Sequence, residues 1–200
     1  MKSPLRIIDS CLHSCDTAAE GRIIIPKFVT EIDQYVFAHC KNITAVIIPC
    51  SVTNINQGLF RFCKNLTSVT IPDLVINIGV SAFCDCISLT SITIPDSVKI
   101  IHDYAFCNCA SLTSVAIPNS VTNIGDGVFS FCRALNQVTI PDSVTNIGED
   151  AFYYCTGFTS VTFKSLSAKL MIKKVFNACE NLKQFVVETS GNNYVFALSN

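Results

Sequence analysis

Apolar positions recur in a fixed order along residues 23–184, at a step of 23. Pro26, Pro49, Pro72, Pro95, Pro118 and Pro141 mark one column, and Phe37, Phe60, Phe83, Phe106, Phe129 and Phe152 a second. Cys40, Cys63, Cys86, Cys109, Cys132 and Cys155 hold a third in the same register. Three residue types repeating together define a tandem unit. In the unit around residues 112–135, Leu112, Val115 and Ile117 are apolar while Ser114 and Ala116 alternate with the last two. That alternation predicts a short strand with Val115 and Ile117 facing inward. Pro118 ends the strand, because proline donates no hydrogen bond and holds the preceding residue extended. Asp73, Asp96, Asn119 and Asp142 each follow a proline, which predicts a turn. Val121 and Ile124 anchor a second short extended segment. Phe129, Cys132 and Leu135, three residues apart, predict a turn or two of 3₁₀ or α-helix that returns the chain to the next strand.

One further column carries backbone information. Asp33, Asn56, Gly79, His102, Gly125 and Gly148 follow the isoleucine of each second segment, a set that predicts a left-handed corner in every coil. A single unit cannot bury its apolar columns alone. Stacked units can, each strand pairing with the equivalent strand of the next coil. About seven coils at a strand spacing of ~4.8 Å span on the order of 30 Å.

The ends depart from the repeat. Leu5, Ile8, Leu12 and Cys15 recur at helical spacing, with Ser3 as N-cap, Pro4 at the first helical position and Gly21 beyond the end. Residues 1–22 are therefore read as an N-terminal cap, with a helix over residues 3–16 covering the first sheet edge. Near the other end Lys164 replaces the proline, and Phe176, Cys179 and Leu182 come one residue late, so a residue is inserted after Phe163. Residues 185–200 are expected to add a final strand and a cap or tail. The expected fold class is a β-rich α/β solenoid, a coil stack with a continuous parallel sheet on one face and the Phe-x-x-Cys-x-x-Leu segments on the opposite one.

Composition narrows the function classes. Half of the chain is hydrophobic and 14% is charged, so the apolar excess must be buried within the stack. No run approaches the ~18–20 apolar residues of a membrane helix, and membrane insertion is not expected. A net charge of -1 with scattered acids and bases gives no electrostatic reason for a nucleic-acid partner. The start, Met1 to Arg6, has neither a long hydrophobic region nor a small-residue cleavage site. No secretory signal peptide is expected, which leaves cytoplasmic placement and export by a non-classical route both open.

The phrase from Val138 to Cys155, with Thr139-Ile140-Pro141, Ser143-Val144-Thr145, Ile147-Gly148, Ala151-Phe152 and Cys155, resembles the BspA-like family of leucine-rich repeats. The spacing of Leu112, Val115 and Ile117 matches the strand motif of leucine-rich repeats in general. The resemblance covers residues 23 to about 184. It implies a repeat family with many surface-exposed or secreted members, some implicated in adhesion to host proteins. No catalytic or cofactor residue comes with it, and fold alone does not fix function.

The twelve cysteines offer the first candidate chemistry. Repetition points the side chains of Cys40 to Cys155 in parallel, which suits a ladder of small buried thiols better than disulfide pairs. Cys84 and Cys107 lie one position after the core Phe in adjacent coils, where a bridge or a soft-metal site is the alternative. Cys11 and Cys15 read as one face of the cap helix. His13, His39 and His102 share no coil, and no catalytic set assembles from them. No enzyme activity, metal or cofactor is expected.

The outward strand positions, Ser68, Thr70, Ser91, Thr93, Ser114, Ala116, Gln137, Thr139, Ser160 and Thr162, form an uncharged hydroxyl-rich face. Such a face suits a protein partner through adaptable hydrogen bonds, while plain β-propensity accounts for threonine equally well. Phe131, Tyr153 and Tyr154 follow core Phe residues in neighbouring coils and form a second candidate contact. The sequence thus points to a non-enzymatic protein-interaction or adhesion module with a protein partner. A structural or self-associating scaffold, a homo-oligomer, and a cysteine-based metal or redox role are the alternatives.

Overall fold

The computed structural model describes residues 3–164, 172–189 and 192–197. The N-terminal segment is a hairpin and not the helix expected over residues 3–16. Strand β1 (Leu5–Ile8) runs antiparallel to β2 (Cys11–Cys15), with Ile8 opposite Cys11. The two residues between them, Asp9 and Ser10, have φ of 48° and 64°. Two successive left-handed residues are the backbone signature of a tight turn whose twist matches the flanking strands. The apolar residues that read as one helical stripe are divided between the two strands. Leu12 and Cys15 are buried, whereas Ile8 is exposed.

From β3 (Glu20–Ile24) onward each coil has three sides. The first carries β3, β5 (Asn42–Ile47), β7 (Ser68–Thr70), β9 (Ser91–Thr93), β11 (Ser114–Ala116), β13 (Gln137–Ile140) and β15 (Ser160–Phe163). These strands are parallel and stacked coil upon coil in three-stranded and six-stranded groups, β3–β5–β7 and β9 onward. Their inward residues alternate as the pattern requires, with Val115 and Ile117 buried and Ser114 and Ala116 exposed. After each of these strands except β15, which Lys164 follows, the proline carbonyl accepts a bond from the valine three residues on, at 3.1 Å for Val121 N to Pro118 O. This is the turn that Asp or Asn after proline signals.

The second side carries two-residue strands: β4 (Glu31–Ile32), β6 (Asn54–Ile55), β8 (Asn77–Ile78), β10 (Ile100–Ile101), β12 (Asn123–Ile124) and β14 (Asn146–Ile147). Strands β6 to β14 pair in parallel, while β4 pairs with β2. The glycine column lies just beyond, and it is not where the chain turns left-handed. Gly79, Gly125 and Gly148 are needed for close approach instead. A Cβ on Gly125 would stand 2.6 Å from Asp103 N and 2.9 Å from the His102 carbonyl carbon.

The left-handed residues sit on the third side, in two columns. One holds Tyr35, Gly58, Ser81, Tyr104, Gly127 and Asp150, and the other His39, Phe62, Asp85, Asn108, Phe131 and Tyr154. These φ values exclude the 3₁₀ or α-helical segment expected around Phe129, Cys132 and Leu135. The segment is a run of β-turns whose alternate N–H groups point at the next coil. Tyr104 N, Phe106 N and Asn108 N donate to Asp126 O, Val128 O and Ser130 O at 2.8, 2.9 and 2.7 Å. A bulky residue at positive φ costs on the order of 1–2 kcal/mol, and these inter-coil bonds offset that strain.

The core follows from the stacking. Phe37, Phe60, Phe83, Phe106, Phe129, Phe152 and Phe176 form one ladder, with centroid spacings of 5.3, 5.2, 5.1, 5.3, 5.2 and 5.0 Å. The place of Phe176 on Phe152 and the register of Val161 opposite Phe185 confirm the extra residue after Phe163. Most of the insertion itself lies outside the described residues. A single helical turn, α1 (Ile172–Val175), precedes β16 (Gln184–Thr189), which pairs with β15. Strand β17 (Asn192–Ala197) then returns antiparallel to β16. The final strand expected after residue 184 is thus a hairpin.

Candidate interaction surface

Strand pairing fixes which outward residues are neighbours. One column runs Ile24, Ile47 and Thr70, and continues as Thr93, Ala116, Thr139, Thr162 and Val186. The second runs Arg22, Ala45 and Ser68, then Ser91, Ser114 and Gln137, with Ser160 opposite Gln184. Ser68, Thr70, Ser91, Thr93, Ser114, Gln137 and Thr139 are exposed, and Ser160 and Thr162 half-buried. The hydroxyl candidates therefore share one face.

The first two strands of that face are different in kind. Arg22, Ile24, Ala45 and Ile47 stand where later coils carry Ser and Thr, and Ile24 is 62% exposed. The Ser/Thr pattern of the later coils gives no hint of them, because the first two strands depart from it. The face therefore grades from an aliphatic start to a hydroxyl-rich remainder. Phe28, in the turn after β3, is 60% exposed and adds to the apolar end.

Phe131, Tyr153 and Tyr154 come together on the third side, away from the hydroxyl columns. Phe131 meets Tyr153 edge-on at 5.2 Å and Tyr154 at 5.7 Å. The Arg133 guanidinium lies 5.2 Å from the centre of the Tyr154 ring. All three rings are half-buried. A smaller cluster near the start of the stack pairs His39 with Phe62 at 4.7 Å, under Arg61. Between the clusters the column is polar, where Asn108 Nδ2 donates to Asp85 Oδ1 at 2.7 Å.

The cysteine column is a ladder of thiols with a hydrogen-bonding role. Cys63, Cys86, Cys109, Cys132 and Cys155 each donate to the Phe carbonyl of the preceding coil, at 2.9, 3.2, 3.3, 3.3 and 3.1 Å. Cys179 extends the series to Phe152 O at 3.1 Å. Burial pushes the thiols of Cys86, Cys109 and Cys132 well above their ordinary range. These sulfurs are inert core atoms.

Cys84 and Cys107 are different. Cys84 Sγ donates to Asp85 Oδ2 at 3.3 Å, and the Ser130 hydroxyl donates to Cys107 Sγ at 3.2 Å. The neighbouring Cys84 thiol and then the Ser130 bond lower the Cys107 thiol below its ordinary value, against the opposing effect of burial. Cys84 moves the other way, raised by the same contact and by burial. The remaining cluster is one that the sequence reading missed. Cys11, His13 and Asp33 meet at the N-terminal hairpin. His39 and His102 stay apart from it and from each other.

Comparison with known proteins agrees with this geometry. The model of the BspA type leucine rich repeat region matches in 6 copies, over residues 2–112 and 99–200. No curated protein matches the chain. Among solved structures, the leucine rich repeat protein of T. pallidum is 28% identical with a TM-score of 0.68, over 80% of this chain and 81% of that one. A leucine rich cell surface protein from Faecalibacterium prausnitzii is 33% identical with a TM-score of 0.67. That alignment covers 82% of this chain and 53% of the other. A leucine-rich repeat protein from Bacteroides ovatus, 24% identical over 94% of this chain and 63% of its own length, shares the fold with a TM-score of 0.64. The chain thus spans 53% and 63% of the length of the last two. By its repeat, its ladders and its match to the family model, the chain belongs to the BspA-type leucine-rich-repeat family.

Proposed function

We propose that the protein is a non-enzymatic recognition module that grips a protein partner through the outward face of its first-side strands. The observation that carries this reading is the pair of in-register columns, with Thr93, Ala116 and Thr139 aligned by strand pairing and Thr93 and Thr139 open to solvent. A surface held by stacked strands loses little conformational entropy on binding, so polar contacts there yield more net affinity than on a loop. The aliphatic start around Ile24 and Ile47 supplies an apolar anchor beside the hydroxyl array. The cell-surface description of the Faecalibacterium relative supports an adhesive role without naming a ligand.

The test compares pull-downs with wild type and a Thr93→Glu/Thr139→Glu double variant as bait. Proteins retained by the wild type are expected to be lost by the variant, at an unchanged melting temperature. Capture of the same set by both baits contradicts the reading. A second reading, self-association, rests on the joined rings of Phe131, Tyr153 and Tyr154. It predicts a dimer in a light-scattering concentration series that Tyr154→Ser abolishes.

A further inference from the structure

The N-terminal hairpin brings together three side chains that no repeat column requires. On β2, Leu12 is fully buried, so the alternation of a strand sends Cys11 and His13 to the opposite, outer side. Strand β4 lies parallel to β2, with Cys11 opposite Glu31 and Leu12 opposite Ile32. Ile32 is buried, and Asp33 N donates to Leu12 O at 2.9 Å, so the backbone holds Asp33 beside the two outer residues of β2. The side chains meet accordingly. His13 Nδ1 and Asp33 Oδ2 are 2.7 Å apart, and Cys11 Sγ and Asp33 Oδ1 3.5 Å. One ligand atom from each residue lies within 4.8 Å of the other two, and no other such trio occurs among the described residues.

We propose that Cys11, His13 and Asp33 form a binding site for a divalent zinc-type transition-metal ion. A thiolate, an imidazole and a carboxylate make a donor set of intermediate softness, which suits zinc and its neighbours and disfavours calcium or magnesium. Zinc bonds of about 2.0–2.3 Å place tetrahedral ligand atoms about 3.3–3.8 Å apart. Cys11 Sγ already stands 3.5 Å from one Asp33 oxygen, and His13 Nδ1 stands 2.7 Å from the other, so a side-chain rotation of Asp33 is what brings one of its oxygens to that distance from both. Three protein ligands leave a fourth position for water or for Glu31, which stands opposite Cys11 on the solvent side. A polar depression between residues 30–33 and 52–56 borders Asp33 on the side of the next coil.

Binding replaces the Cys11 S–H bond with a sulfur–metal bond and releases the proton to solvent. Because Cys11 and His13 belong to the hairpin and Asp33 to the first coil, the ion would clamp the cap onto the stack.

The experiment titrates the chelator-treated full chain with Co²⁺ as a spectroscopic probe, then displaces it with Zn²⁺. One equivalent is expected, with thiolate-to-cobalt charge transfer and the visible bands of a four-coordinate ion. Cys11→Ser and His13→Asn should each weaken binding by about 100-fold or more, beyond the roughly 10–100-fold of an outer-shell change. Asp33→Asn is the conservative control for folding, since Asn56 occupies the same column in the next coil, and it should weaken binding while leaving the circular dichroism unchanged. A Cys84→Ser/Cys107→Ser variant should bind as the wild type does. Absence of a one-to-one complex overturns the proposal. So does a complex that survives His13→Asn and Asp33→Asn, or one that disappears with Cys84 and Cys107.

Discussion

At the scale of single residues, position in the coil decides chemistry more than residue type does. The cysteines show this within one chain. Cys109 is wholly buried, and its thiol donates to a carbonyl, whereas Cys107, two residues away, lies beside the Cys84 thiol, accepts a bond from the Ser130 hydroxyl and is lowered below its ordinary range. A thiolate is the nucleophile toward iodoacetamide, so reactivity follows the ionised fraction. Peptide mapping after brief alkylation is expected to find Cys107 labelled with a midpoint below that of a free cysteine, ~8.5. Ser130→Ala should move that midpoint upward by removing one donor. Equal labelling of Cys107 and Cys109 at pH 7 would contradict the assignment. The phenylalanine ladder gives a second test. Phe106 lies between Phe83 and Phe129 at 5.1 and 5.3 Å and is fully buried. Phe106→Ala should cost about 3–5 kcal/mol in denaturant unfolding, because neighbouring coils close only partly over the lost ring.

At the scale of elements, the thiol ladder links stability to alkaline pH, and the sign is fixed by the direction of the shifts. The folded values of Cys86, Cys109 and Cys132 are raised. Above the unfolded value of ~8.5 the unfolded thiols lose their protons while the folded ones keep them, which favours unfolding. The stabilisation is therefore whole below about pH 8.5 and declines above it, by up to about 1.4 kcal/mol per pH unit per thiol. Thermal melts from pH 8 to 10.5 should show this fall, and Cys109→Ala should show a shallower one. An identical pH slope for the two proteins would count against a buried, protonated ladder. The elements also show where the sequence was legible. Strand, turn and thiol column could be read from Val115, Pro118 and Cys132, because the same contacts recur in every coil. The hairpin could not, since Leu5, Ile8, Leu12 and Cys15 fit a helical stripe as well as two strands. With Cys11 and His13 placed on a helix, residues two apart diverge, and the cluster with Asp33 disappeared from view. The left-handed columns were hidden for a different reason. Tyr35, Phe62 and Phe131 carry no conformational signature of their own, and their backbone is set by bonds to the next coil.

At the scale of the whole molecule, each coil meets only its neighbours, so stability is approximately a sum of coil and interface contributions. Each end closes with an antiparallel strand, β1 against β2 and β17 against β16. Strands β1 and β17 are themselves the outermost strands of their sheets, and β3 stands at the edge of the first-side sheet. Between them, one register carries every column, including the outward Ser/Thr face to which the recognition role is assigned. A slip of one residue in that register would send Val115 outward and Ser114 into the core. The most direct measurement is therefore a set of nuclear Overhauser contacts in the isotopically labelled protein. Cross-strand contacts are expected between Ile92 and Val115 and between Val115 and Val138, with ring contacts from Phe83 to Phe106 and from Phe106 to Phe129. Contacts of Val115 with Ser91 and Gln137 in place of Ile92 and Val138, or an absence of ring contacts along the phenylalanine column, would contradict the stacked architecture and the face built on it.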